Sequence, residues 1–219
     1  MNETVSFEFA ELLNRAGHVF DEQLLPFFEP SESLSFQITT NPIAQSNTDL
    51  LVYISPKPGA TPPPQWLEVM QQYNVSWVGA QNSGNDIHVA RRVGLALLAP
   101  FVFEKQDHQR IILSGFSGGG RVASMMVVAY PQLYHGALFI CGANPMMIAA
   151  EESVENLQDK PLVFLTGTGD FNLEDTKMAI STYQQAGLTN THLTIVQGLD
   201  HGLPEAKDLD DVLQTLTKD

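Results

Sequence analysis

The chain has 219 residues, 43% of them hydrophobic, enough for one sizeable core, so a single domain over residues 1–219 is expected. Eleven Lys and Arg face 25 Asp and Glu, a formal charge of −14, which sets the surface as a whole against nucleic acid and anionic membranes. The single cysteine, Cys141, sits in the apolar run ALFICG, which excludes an intrachain disulfide and a Cys-x-x-Cys metal pattern and suits a buried thiol.

No basic region followed by an apolar core opens MNETVSFEFAELLNR, and no stretch approaches 18 uninterrupted apolar residues. No membrane span is expected, and the compartment expected is the cytoplasm, or a secreted or periplasmic one if a signal peptide has been removed. Residues 7–28 place Phe9, Leu12, Leu13, Ala16, Val19 and Phe20 at helical spacing, predicting an amphipathic helix that ends at Pro26. SLSFQITT alternates Leu34, Phe36 and Ile38 with polar residues and reads as an outer strand. A loop of Asn, Pro and Ser separates it from DLLVYISP at 49–56, a more continuous run that reads as a central strand. KPGATPPP is a loop, since proline breaks helices and donates nothing to a ladder, and a helix over Gln65 to Tyr73 follows.

VSWVGA at 75–80 is the next strand, and Asn85 or Asp86 in QNSGND is placed to cap a helix reaching about Ala99. Residues 110–130, RIILSGFSGGGRVASMMVVAY, read as strand, sharp turn and helix, with Ser117 at the apex. GALFICG and PLVFLTGTGD are further strands, the second ending in a Gly-rich loop. A helix from Leu173 to Ala186 is stopped by Gly187, THLTIV is the last strand, QGLDHGLP the loop after it, and Glu205 to Leu216 a final helix. Strands alternating with helices predict an α/β fold: a mostly parallel central sheet, right-handed crossovers and helices on both faces.

Gly115-Phe116-Ser117-Gly118-Gly119 fits G-x-S-x-G, a turn so tight that a Cβ on its flanking glycines would strike a neighbouring element. A chain of this length shows the pentapeptide by chance roughly once in ten, so the strand before it and the helix after it carry the argument. A P-loop needs Gly-Lys-Ser/Thr where this chain has Gly120-Arg121-Val122, and TGTGDFN lacks the third glycine of a dinucleotide site.

Loops leaving the carboxyl ends of parallel strands gather on one edge of the sheet, and Ser117, Asp170 and His201 each lie in such a loop. A serine hydroxyl needs a positioned imidazole to take its proton, and an imidazole needs a carboxylate to set its tautomer. His201 is the candidate base and Asp170 its orienting acid. His18, His88, His108 and His135 precede Asp170, and His192 begins a strand; Asp200 and Asp175 are the weaker acids, one adjacent to His201 and one inside a helix. For the developing oxyanion, the N–H of Gly118 is the expected donor, with a second from the loop after DLLVYISP. Pro56 and Pro58 have no N–H, which leaves Lys57 or Ser55, and Lys57 is preferred.

With these residues in place, the chain resembles the α/β-hydrolases, close to esterases of the poly(3-hydroxybutyrate) depolymerase and feruloyl esterase type. The resemblance covers most of residues 49–216 and rests on DHQRIILSGFSGGGRVA, the acid loop GTGD at 167–170 and the histidine loop GLDHGLP. It implies an α/β-hydrolase fold and an acyl-enzyme mechanism with Ser117, His201 and Asp170, and it implies no metal and no cofactor. Such enzymes commonly carry His-Gly at the oxyanion loop, where this chain has Ser55-Pro56-Lys57. About twenty residues lie between Gly142 and Pro161, too few for a cap domain, so an open site is expected. Asn144, Phe171 and Leu203 fall in the loops nearest the three residues and are candidates to line an acyl or alcohol pocket. The function expected is cleavage of carboxylic esters, small or oligomeric. The alternatives are peptidase or acyltransferase chemistry on the same residues, and a non-catalytic protein that binds a small ligand in the cleft.

Overall fold

The computed structural model describes residues 2–40, 48–104, 108–146 and 151–218. Eight strands form one sheet: β1 (Asn2–Glu8), β2 (Ser33–Thr39), β3 (Thr48–Ile54), β4 (Val75–Ala80), β5 (His108–Phe116), β6 (Gly136–Ile140), β7 (Leu162–Gly167) and β8 (Thr191–Val196). Their spatial order is β1-β2-β4-β3-β5-β6-β7-β8. β1 pairs antiparallel with β2, and β2 antiparallel with β4; every pairing from β4 to β8 is parallel. The loop of Asn, Pro and Ser expected before β3 lies at 41–47, outside the described residues.

The period-2 alternation of the central strands decides what packs where. Leu50, Val52 and Ile54 of β3 join Phe36, Val78, Leu113, Phe139 and Phe164 on one face, under α1 (Phe9–Ala16), α3 (Val89–Leu98), α4 (Gly118–Ala129) and α6 (Leu173–Gln185). Leu51 and Tyr53 join Trp77, Ile112, Leu138 and Val163 on the other, under α2 (Leu67–Gln72) and α7 (Ala206–Leu216). Both faces are covered, which is why these strands read as continuous apolar runs.

Three expectations need correction. Residues 7–28 are not one helix: Phe7 and Glu8 end β1, α1 spans only Phe9–Ala16 before Gly17 turns the chain at φ 55°, and short 3₁₀ turns follow. β1 carries no clear strand signal in the sequence, because Val5 and Phe7 are its only apolar residues and its pattern is almost fully exposed. With β1 paired along its whole length, from Asn2 opposite Thr39 to Glu8 opposite Ser33, β2 is the second strand and not the outer one. Finally, neither Asn85 nor Asp86 caps α3; His88 does, its Nδ1 accepting from the Ala90 N–H at 3.2 Å. Among the described residues, the interval between β6 and β7 holds one short helix, α5 (Glu151–Leu157). No helix of the described residues is long and apolar enough to cross a membrane.

Candidate active site

β5 runs straight into α4 through Ser117, whose φ of 53° and ψ of −120° put a non-glycine residue in a region that ordinarily costs about 1–3 kcal/mol. What holds it there is packing on both sides. A Cβ at Gly115 would collide with the Gly119 carbonyl carbon, and one at Gly119 with the Ile54 carbonyl oxygen at the end of β3. The Ser117 N–H donates to the Ile140 carbonyl oxygen at 2.7 Å, and its carbonyl accepts from the Arg121 N–H at 3.1 Å. The hydroxyl is thereby lifted off the sheet edge with Gly118 as the first residue of α4. Helix geometry leaves the first N–H groups of α4 without intrahelical acceptors, so Gly118 has a donor to offer.

Asp170 sits in the turn after β7, with its side chain fully buried. Oδ2 accepts from the Thr166 hydroxyl at 2.7 Å, and Oδ1 from the Asn172 N–H at 3.0 Å. Burial alone would raise its carboxyl pKa; the bonds from Asn172, Thr166 and His201, with the Cys141 thiol beside it, together outweigh that and hold it below the ordinary carboxylate range. His201, in the loop after β8, places Nδ1 2.8 Å from Asp170 Oδ1 and Nε2 2.9 Å from Ser117 Oγ. Its ring is stacked on Phe171 at 4.0 Å between centroids and flanked by Phe116 at 5.0 Å. The loop is fixed from behind: Trp66 Nε1 donates to the Pro204 carbonyl at 2.9 Å, and the Gly169 N–H to the Leu199 carbonyl at 3.0 Å.

The three residues singled out in separate loops are thus brought into one hydrogen-bonded line. Of the pocket candidates, Phe171 is 76% exposed over the His201 ring, and Leu203 is half-buried and packs against the second core cluster. Asn144 is occupied otherwise: its Oδ1 accepts from Arg121 at 3.4 Å and its Nδ2 donates to the Arg121 carbonyl at 3.2 Å. The Lys57 N–H points at the Ser55 hydroxyl at 3.3 Å. Beneath that loop the buried Arg92 guanidinium donates to the Ser55 carbonyl at 3.1 Å, with burial lowering its pKa against the opposing pull of Asp86.

Two features were not anticipated. Cys141 is the buried thiol the sequence suggests, and its Sγ, an Asp170 oxygen and a His201 nitrogen lie within 4.8 Å of one another. Desolvation, with the Asp170 carboxylate beside it, pushes the Cys141 thiol up to about 12, so it stays protonated and donates to the Gly202 carbonyl at 3.3 Å. A protonated thiol and a carboxylate already engaged by three N–H or O–H donors make a poor cation site. The second is Asn172, whose Nδ2 donates to the Cys141 carbonyl at 2.8 Å and links the loops after β6 and β7. Nothing short of the β6–β7 register, Ile140 opposite Leu165, brings those loops together, so no local motif could have announced either.

The strand order and the turn at Ser117 define an α/β-hydrolase fold. The family model for phospholipases and carboxylesterases matches residues 52–218, and the chain belongs to that family. Among solved structures it is similar to the esterase Est1E from Butyrivibrio proteoclasticus, at 14% identity over 85% of this chain and 96% of that one, with a TM-score of 0.64. A fungal esterase from Rhizomucor miehei aligns at 11% identity over 99% and 81%, with a TM-score of 0.66. A ferulic acid esterase aligns at 12% identity over 99% and 98%, with a TM-score of 0.65. At such identities the likeness is one of fold. No curated protein matches the sequence.

Proposed function

We propose that this chain is a serine esterase that cleaves carboxylic esters through an acyl-enzyme. The observation that carries the reading is the pair of contacts at His201, 2.9 Å to Ser117 Oγ and 2.8 Å to Asp170 Oδ1. With Nδ1–H donating to Asp170, the lone pair of Nε2 faces the serine proton, which is the tautomer a general base requires. Ser117 Oγ attacks the ester carbonyl carbon while His201 Nε2 takes its proton, and the carbonyl electrons move onto oxygen. Collapse of the tetrahedral species breaks the C–O bond to the alcohol, which leaves with the proton from His201. Water then repeats the sequence on the acyl-serine, releasing the acid and returning the proton to Ser117.

The buried Asp170 carboxylate stabilises the imidazolium formed in each half, and its other hydrogen bonds, from Thr166 and Asn172, keep it ionised and fixed. The Gly118 N–H receives the oxyanion. Lys57 N–H is the second backbone donor in this reading; at 3.3 Å its bond to Ser55 is long, and a stronger acceptor displaces it readily. Phe171 and Leu203 offer the acyl or alcohol group an apolar wall. A fluorophosphonate tests the reading: one adduct forms on Ser117, and a folded protein that takes none overturns it.

A further inference from the structure

One polar group on the oxyanion side of the site is left unused by the sequence of steps above. Asn85 lies in the loop after β4, and its backbone N–H donates to the Pro56 carbonyl at 2.9 Å, tying it to the loop that carries Lys57. Its side chain reaches the other half of the pocket: a Cβ built on Gly118 would fall onto Asn85 Oδ1 and lie 2.8 Å from Nδ2. Asn85 therefore fills the space that a side chain at position 118 would take. Asn85 is an exposed residue, and no side-chain hydrogen bond holds its carboxamide among the described residues.

A backbone nitrogen sits about 2.5 Å from its own Cβ position, so Asn85 Nδ2 is no more than about 5.3 Å from Gly118 N. Two donors at that separation can both reach one oxygen at hydrogen-bond distance. The terminal amide torsion is soft, and a half-turn exchanges Oδ1 and Nδ2. We propose that Asn85 is a side-chain oxyanion donor, its Nδ2–H donating to the acyl oxygen beside the Gly118 N–H as negative charge develops there. No proton leaves Asn85; its contribution is made only when the oxygen is charged, so it acts on kcat more than on KM. The inference rests on the serine-esterase reading, and it gives Gly118 a second role, that of leaving room for the amide.

The test is steady-state hydrolysis of p-nitrophenyl esters by the wild type, Asn85→Ala, Asn85→Asp and Gly118→Ala. It is paired with inhibition by an aryl trifluoromethyl ketone, whose tetrahedral adduct places an oxyanion in the same pocket. Asn85→Ala is expected to lower kcat on the order of 10²–10³-fold, to change KM by less than about threefold, and to weaken the ketone by a factor matching the kcat loss. Asn85→Asp keeps the shape without the donor and loses at least as much. Gly118→Ala keeps its N–H but displaces the amide, so it costs activity in the wild type and little more in the Asn85→Ala background. An Asn85→Ala enzyme with kcat within about threefold of wild type, or a loss confined to KM, overturns the inference and leaves the esterase reading standing. A wild type that neither turns over esters nor takes a fluorophosphonate fails at the earlier step and removes both.

Discussion

Asp170→Asn is the substitution whose consequence the structure allows to be followed atom by atom. The carboxylate accepts from His201 Nδ1 and the Asn172 N–H on Oδ1, and from the Thr166 hydroxyl on Oδ2. If the new amide oxygen stays at the Oδ1 position, its NH₂ faces a Thr166 hydroxyl that can turn to accept, the imidazole keeps its tautomer, and only the negative charge is lost. If the amide turns over, its NH₂ faces both His201 and the Asn172 N–H, and His201 can satisfy it only by accepting at Nδ1. The proton then sits on Nε2, pointed at Ser117, and the base is disabled. Either way the imidazolium of the proposed transition state loses its partner in a site where the carboxylate side chain is wholly buried. We expect kcat to fall on the order of 10⁴-fold, about 5.5 kcal/mol in the barrier, with the melting temperature little changed because the shape and most hydrogen bonds persist. The assay is p-nitrophenyl ester turnover, with circular dichroism and thermal melting as controls. A well-folded variant that loses less than about tenfold would refute the role given to Asp170.

Two further outcomes follow from the same site. The Asp170 pKa is held down in the folded chain, so its stabilising contribution is fully present above the unfolded carboxylate value of about 3.9 and is lost as pH falls through the lower folded value. Urea midpoints measured from pH 6 downward should therefore show a shallower acid decline in Asp170→Asn than in wild type, and identical declines would contradict this. Cys141, with its thiol pushed up to about 12 and shielded from solvent, should alkylate with iodoacetamide at pH 8 on the order of 10³-fold more slowly than an exposed thiol, and at an ordinary rate once unfolded. Rapid labelling of the folded chain would show that the thiol is not where the structure puts it.

The central part of the fold was legible because its strands are buried on both faces and bounded by strong turn residues. β4 coincides with VSWVGA, and β7 begins and ends within PLVFLTGTGD. Ser117, Asp170 and His201 could be singled out because a parallel sheet collects its strand-end loops on one edge, which converts chain order into proximity. What could not be read depended on a neighbour that no local pattern encodes. β1 is an exposed edge strand whose only apolar residues, Val5 and Phe7, run into the helical spacing that starts at Phe9. Asn85 looked like a helix cap because it precedes α3, and its approach to Gly118 comes from the loop after β4 folding across the end of β3. The glycines at 115 and 119, by contrast, were legible individually, since the collisions they avoid are those the motif itself requires.

The proposed function turns on whether Ser117 is an activated nucleophile. Intact mass after exposure to a fluorophosphonate, for the wild type and Ser117→Ala in parallel, addresses that directly. The account predicts one adduct on the wild type and none on the variant, with the label mapped to the peptide containing Ser117. A folded wild type left unmodified, or a Ser117→Ala protein that labels equally, would contradict it.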